Sequence, residues 1–574
     1  MPALPSRALP CLLLSLGTAL AAPPRETPDA ALAAWARAYL ADFHARHPGQ
    51  ASLDGDHAQD AHLAGFGPAA RRAEAQALRV FARRLRALPE PGLGPTARLQ
   101  RRLAEDSLAA RRLELEEIRG WARNPLTYTE EIGNALLTPA LYATAPAAVR
   151  LRSICAREAA LPRLLAEARA NLRDVPAPFA RAGLEAVRGL EGFVGRDLPE
   201  AFRGVGSPVE QAAFRRTSAR ARKALKAFGD WLERQVLPGA PEAFALGPGP
   251  FMALLRHREG ILPSREALLA LGEAELARTS ARFQALAAQL APGRSPEAAW
   301  AEVRRDTPPA EALLPEARAQ LAELRTFLAE KDLVPLPPHA PLEVAPTPAF
   351  MPGTFAAEYN VGPFEPVDAP ARYYLTLPAP DWTPAQVAEH LTEFSRPALW
   401  ITSAHEGYPG HYLQGVLLRG QRDPFRASGL FSSTAFVEGW AHYAEALVVE
   451  QGFRARDPRL ELAQVKDALL RVCRFLMALR MHTEGWTVDR ATAFFAAHAH
   501  MAEAPARAEA ERATYDPLTL AYTYGKLEIL RLREDLRRRE GPAFSLPRFH
   551  ERLLRQGQVP FWFHRAELLG ELPS

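Results

Sequence analysis

Apolar and polar positions alternate with a helical period along most of this chain. From Thr27 to about Leu333, Ala, Leu, Arg and Glu dominate, and Pro and Gly are concentrated between the periodic stretches. Leu161, Leu164, Leu165, Ala168 and Leu172 share one face, which predicts a helix opened by Pro162. Breaks are expected near Pro89-Glu90-Pro91-Gly92, Asp174-Val175-Pro176, Gly239-Ala240-Pro241 and Gly247-Pro248-Gly249-Pro250. No fixed repeat length of the kind a solenoid needs runs through this half.

The texture changes at Val334. Pro335 to Pro348 is dense in proline, with Leu342-Glu343-Val344 as a short strand. Arg372 to Leu377 (RYYLTL) is the clearest strand, aromatic and β-branched, ended by Pro378. Asp381-Trp382-Thr383-Pro384 then supplies an N-cap threonine and a first-turn proline. That helix runs toward Arg396-Pro397, and the next carries Ile401 to Leu418. Further on, Val465, Ala468, Leu469, Val472, Leu476 and Leu479 form a buried stripe. Lys526 to Arg539 is an Arg-rich helix with a solvated face, and a Gly-Pro break and a last amphipathic stretch follow it.

The predicted fold class is mainly α: a large helical protein enclosing a cleft, with a small β-sheet next to the helix of the candidate site. A substrate peptide can lie along a strand edge of such a sheet. Residues 22–333 form a helical first half, 334–380 a Pro-rich segment with short strands, and 381–574 a helical second half. All three are expected to make one unit, which 574 residues are long enough to supply with a sizeable core.

Composition narrows the function classes. The apolar fraction of 48% and charged fraction of 24% are those of a soluble globular protein. Its 70 basic residues are scattered among 66 acidic ones, for a net charge of +4, with no Arg block interleaved with aromatics. No nucleic-acid partner is expected. At the start, Arg7 is the only charge, Ala8 to Leu20 is apolar, and Ala19-Leu20-Ala21 fits a cleavage site. Residues 1–21 therefore read as a signal peptide, with export to a periplasm or beyond the cell. No later apolar run approaches the length that crosses a bilayer, so no membrane anchor is expected. Cys155 and Cys473 are too few for a disulfide framework, and neither their pairing nor the oligomeric state follows from the sequence.

The candidate chemistry lies in Ile401 to Leu418 (ITSAHEGYPGHYLQGVLL) and Phe436 to Glu445 (FVEGWAHYAE). Neutral imidazoles with a carboxylate make a Zn2+ site, and a spare glutamate beside it is the usual general base for splitting an amide. His405 and His411 are 411 − 405 = 6 residues apart, about 120° around an unbroken helix at ~100° per residue. Both rings reach one ion only if Pro409-Gly410 loops the chain out. A third ligand is required. Glu438, 438 − 411 = 27 residues downstream, is the first choice, with His442 its rival. Glu445 suits a residue that orients a ligand imidazole. Taken singly, each of these histidines reads as an ordinary core or surface residue.

His405-Glu406-Gly407-Tyr408-Pro409-Gly410-His411-Tyr412-Leu413-Gln414 and Glu438-Gly439-Trp440-Ala441 resemble the DUF885 family, bacterial and mostly helical proteins allied to gluzincin-type zinc peptidases. His482-Thr483-Glu484-Gly485-Trp486-Thr487, Tyr522-Thr523-Tyr524-Gly525-Lys526, and Phe549-His550 through Gly557-Gln558-Val559-Pro560 extend the resemblance. It covers nearly the whole mature chain, most specifically from Tyr359 onward. It implies a single helical catalytic fold, metal ligands at His405, His411 and Glu438, and Glu406 as base. Two departures stand out. His442 occupies a position that is more often aliphatic in the family, and Leu518-Thr519-Leu520-Ala521 replaces the Gly-Gln-Ala tract expected before Tyr522.

The expected function is an exported zinc-dependent peptidase acting on short or unfolded peptides. His482, Tyr522 or Tyr524 is expected to steady the oxyanion. In a carboxypeptidase, Arg372, Arg480, Arg512 or Lys526 would meet the substrate carboxylate. The other reading is a non-catalytic exported helical protein that binds peptides or partners around a structural or vestigial metal site. A scaffold has no use for Glu406.

Overall fold

Helices in this chain begin where the sequence supplies a cap and a proline together. The computed structural model describes residues 27–337, 342–347, 356–359 and 362–571, so the expected signal peptide lies outside the described residues. Helix α1 (Pro28–Arg46) starts on Thr27, whose hydroxyl accepts from the Ala30 amide at 3.2 Å. It is followed by α2 (Pro48–Asp54), α3 (Leu126–Leu141) and α4 (Ala147–Asn171). Contrary to expectation, Pro162 sits inside α4 and does not open it. Leu151, Ile154, Leu161, Leu164 and Leu165 are buried on both sides of the proline. Their continuous packing carries the helix past the missing N–H. The break expected near Gly247-Pro248-Gly249-Pro250 is present: Gly247, at φ 84°, ends a loop and caps α5 (Pro248–Glu259). Helices α6 (Arg265–Leu290) and α7 (Leu313–Glu330) also belong to the first half.

The Pro-rich segment yields a three-stranded sheet of order β1-β3-β2: β1 (Leu342–Pro346), β2 (Ala356–Tyr359) and β3 (Ala371–Leu375). β1 runs parallel to β3, with Leu342 opposite Ala371, and β2 runs antiparallel to it, with Tyr359 opposite Arg372. Central β3 buries Ala371, Tyr373, Tyr374 and Leu375, which is why its aromatic and β-branched text reads so clearly as a strand.

Thr383 and Gln386 form a capping box on α8 (Pro384–Thr392). Then come α9 (Arg396–Glu406), α10 (His411–Leu418), α11 (Thr434–Glu450), α12 (Pro458–Thr483), α13 (Glu503–Tyr515) and α14 (Ala521–Glu540). β2 packs beside α9 and α10. The arginines of α14 pair along their own helix, Arg537 with Glu534 at 2.9 Å and Arg538 with Asp535 at 2.5 Å, on a solvated face.

One apolar cluster runs from Leu63 to Leu569 and draws on both halves. In a second, Leu32, Trp35 and Tyr39 of α1 meet Phe425, Phe431, Trp562 and Phe563. The mainly α architecture is as expected. α11 and α14 approach backbone to backbone: a Cβ at Gly525 would lie 1.8 Å from the Ala435 carbonyl oxygen, and one at Gly439 would lie 2.4 Å from Gly525 Cα. Only glycine permits that distance. Glu438 and Tyr522 lie on this helix pair, and the Glu438 charge acts on the Tyr522 hydroxyl. Among the described residues no helix is long and apolar enough to cross a membrane.

Candidate metal centre

α9 ends at Glu406 and α10 starts at His411, so the helix is interrupted within the motif as the spacing required. The Tyr408–Pro409 bond is cis. The Gly410 amide donates back to the Ala404 carbonyl at 2.9 Å, and a Cβ on Gly410 would fall 1.7 Å from the His405 carbonyl oxygen. The loop is thus folded onto the end of α9. Trp440 of α11 fastens it, its indole N–H donating to the Pro409 carbonyl at 2.8 Å.

This loop turns the two imidazoles toward each other. Their ring centroids are 4.8 Å apart and the planes are nearly perpendicular, at 87°. Glu438 completes the group: its Oε2 lies 3.4 Å from His411 Nε2 and 3.8 Å from His405 Nε2. One donor atom from each of the three residues lies within 4.8 Å of the others. A tetrahedral ion with bonds of ~2.1 Å holds its ligand atoms about 3.4 Å apart, so the separations suit zinc. Glu438 Oε2 is buried and makes no hydrogen bond among the described residues, a state a bound cation relieves. Burial alone would raise the Glu438 carboxyl, but His411, His405 and Arg471 outweigh it and hold it down at about 2. It is an anion at any ordinary pH.

The tautomer of His405 follows from its other side. His405 Nδ1 lies 2.6 Å from Glu445 Oε1, so Nδ1 carries the proton and Nε2 presents its lone pair to the group. Burial, then the Arg471 charge, then His411, hold this imidazole well below its ordinary range and therefore neutral. Glu445 is fully buried and also meets Arg471 at 2.8 Å and His442 Nδ1 at 3.2 Å. His442 accordingly belongs to this supporting layer and lies outside the three-ligand group. Glu445 takes the orienting position expected of it.

Glu406 is half-buried at the end of α9. On the β3 side, burial chiefly and the Glu406 charge additionally raise the hydroxyl of Tyr373. Tyr522, on α14, lies beneath two guanidinium groups, with Arg471 5.8 Å and Arg474 5.5 Å from its ring centroid. Its hydroxyl is pushed up to about 12 by burial and by Glu438, against the opposing pull of the Arg512 and Arg474 charges. It remains a donor at neutral pH.

His482 is not part of the centre. It is 1% exposed, its Nε2 donates to the Ala513 carbonyl at 2.9 Å, its Nδ1 accepts from the Leu246 amide at 3.3 Å, and its ring stacks on Phe251 at 5.2 Å. Eleven residues of α12 separate it from Arg471, about 16 Å of helix. Both nitrogens are committed to backbone, which makes it a core histidine. The Tyr524 hydroxyl is raised by burial and then by the Glu528 charge, with Arg531 and Arg565 opposing. Arg372 is taken by Glu343 at 3.2 Å and Arg480 by Glu273 at 2.6 Å. Lys526 lies buried toward Glu275 and Glu445, while Arg512, paired with Asp516 at 3.1 Å, stays beside Tyr522.

Sequence reasoning missed Arg471 and Arg474. Their signal is present: α12 is buried along most of its length, and charged residues in such a helix demand partners. Arg474 has a bidentate pair with Glu509, both contacts at 2.7 Å.

Residues 48–567 match the family described as "Bacterial protein of unknown function (DUF885)". Among solved structures, the chain resembles one described as a candidate lipoprotein of unknown function from Shewanella oneidensis. The identity is 24% and the TM-score 0.77, over 94% of this chain and 99% of that one. A structure described as a candidate lipoprotein from Colwellia psychrerythraea aligns at 17% identity and a TM-score of 0.79, over 95% of this chain and 99% of that one. No curated protein matches the chain.

Proposed function

The chain belongs to the DUF885 family, and we propose that it is an exported zinc-dependent peptidase acting on short or unfolded peptides. The observation that carries this reading is the convergence of His405 Nε2, His411 Nε2 and Glu438 Oε2, with Glu406, which is not among them, next to His405 in the chain. Two imidazoles and one carboxylate are the donor set of hydrolytic zinc sites, which leave a position open to water or substrate. When bound there, zinc supplies Lewis acidity, polarising a carbonyl and lowering the pKa of a water.

The remaining roles fall to side chains of this chain. Glu406 takes the proton of the attacking water and returns it to the leaving amine. Tyr522, kept protonated by burial, donates to the oxygen that gains charge as the carbonyl becomes tetrahedral. Glu445 holds the His405 ring, and Arg471 holds Glu445. Export rests on the apolar start of the sequence, in keeping with the description of the structural neighbours as candidate lipoproteins. Glu406→Gln decides the reading: zinc content should match the parent protein while kcat on an unfolded peptide falls about 10²- to 10⁴-fold. Parental kcat with parental zinc content would remove Glu406 from the mechanism.

A further inference from the structure

The helix Pro68–Ala87, which packs against α1, carries six arginines and a single acidic residue, Glu74. Leu78, Phe81 and Leu85 form its buried side and meet Trp35 and Tyr39 of α1. On the opposite side, Arg72, Arg79, Arg83 and Arg86 fall within about 60° of one another at ~100° per residue. All four are exposed, and they line about 21 Å of helix. Among the described residues Arg72, Arg83 and Arg86 have no ion pair, while Arg79 reaches Gln76 at 3.3 Å and Glu116 only at 4.0 Å. The contrast is with α14, where Arg537 and Arg538 each have a carboxylate one turn away.

The start of the described chain lies at one end of this face. Beyond Ala87, the turn through Gly94 holds the first turn of α1. The Gly94 amide donates to Asp29 at 3.0 Å, and a Cβ on Gly92 would lie 3.3 Å from Pro28 Cγ. The apolar run Ala8 to Leu20 ends 27 − 20 = 7 residues before Thr27, at most about 25 Å of extended chain. A bilayer that receives this run during export therefore lies within reach of the arginines. Guanidinium groups without acids among them are complementary to a surface of phosphates. The helix Pro208–Trp231 also exposes unpaired cations, Arg215, Arg216, Arg220 and Lys223. These spread over about 140° of its circumference, and it packs chiefly on α4. We propose that the face formed by Arg72, Arg79, Arg83 and Arg86 docks the protein on an anionic bilayer, its guanidinium groups against lipid phosphates. The apolar run delivers this face to the headgroups, and the charges retain the protein there once the run is cut away.

Cosedimentation of the exported protein with lipid vesicles tests this. No peptide is present, so the result stands apart from hydrolysis at the metal centre. Vesicles of phosphatidylglycerol and phosphatidylethanolamine should bind the protein, and vesicles of phosphatidylcholine should not. Replacing Arg72, Arg79, Arg83 and Arg86 by Gln should weaken binding about fivefold per arginine, several hundredfold in all, with an unchanged melting temperature. The same replacement at Arg215, Arg216, Arg220 and Lys223 should leave binding within about twofold, since charges far from the contact are screened. Failure to bind the anionic vesicles would overturn the proposal, and so would equal binding to both kinds. Binding that survives the first set of substitutions, or is lost with the second, would overturn it as well.

Discussion

The Tyr522 hydroxyl gains its chemical interest from its position beside Glu438 and against the Arg512 guanidinium. Tyr522→Phe should lower kcat about 10²- to 10³-fold, with little change in KM and none in zinc content. An unchanged kcat would assign oxyanion stabilisation elsewhere. For His482 the expectation is the reverse. His482→Leu strands a backbone carbonyl and a backbone amide, so it should cost about 1–3 kcal/mol of stability in urea denaturation and leave kcat alone. Nothing in the text around His482 separates it from a site histidine, because its partners are backbone groups from distant segments. His405, His411 and Glu438 are legible for a different reason: ligand residue types recur within apolar text, and the Pro-Gly pair explains how they can meet. Arg471 and Arg474 escape attention because the buried stripe of α12 draws the eye to its leucines, although a charged group in such a helix is the more informative residue.

At the scale of the element, the centre depends on how closely helices approach. α11 brings Glu438 and α14 brings Tyr522, and the Gly439–Gly525 contact sets their separation. In Gly525→Ala the new methyl meets the Ala435 carbonyl oxygen, and backbone must move. The variant should lose about 1–3 kcal/mol in chemical denaturation and also bind zinc more weakly, since the shift carries Glu438 with it. A loss of stability with unaltered zinc affinity would show that the ligand tolerates the displacement. Helix starts were largely readable from caps and prolines, as at Thr383-Pro384. Pro162 was misread because local propensity yielded to packing. The apolar face of α4 continues through the proline, and no local signal reveals that the neighbours hold it.

At the scale of the molecule, buried ionisable groups tie stability to pH. Glu158, 0% exposed, has its carboxyl raised from 4.5 to about 7 by burial, partly countered by the hydroxyls of Thr217 and Ser218. A folded value above the unfolded one favours the fold fully at pH below 4.5, and that contribution is lost as pH rises through about 7. Relative to Glu158→Gln, the parent protein should therefore lose stability between about pH 5 and about pH 8. Parallel stability curves would refute the assignment. The mainly α class was legible because helical periodicity fills the sequence. The packing of α1 against Phe563, near the far end of the chain, was not, because contacts so distant in sequence leave no periodic trace. The central claim is that three side chains from separate helices hold one catalytic zinc ion. Elemental analysis of the purified protein, paired with peptide hydrolysis before and after chelation, tests it most directly. The account predicts one zinc per chain, hydrolysis abolished by chelation and restored by zinc, and both metal and activity lost in His411→Ala. Parental metal content in His411→Ala, or hydrolysis indifferent to chelation, would contradict it.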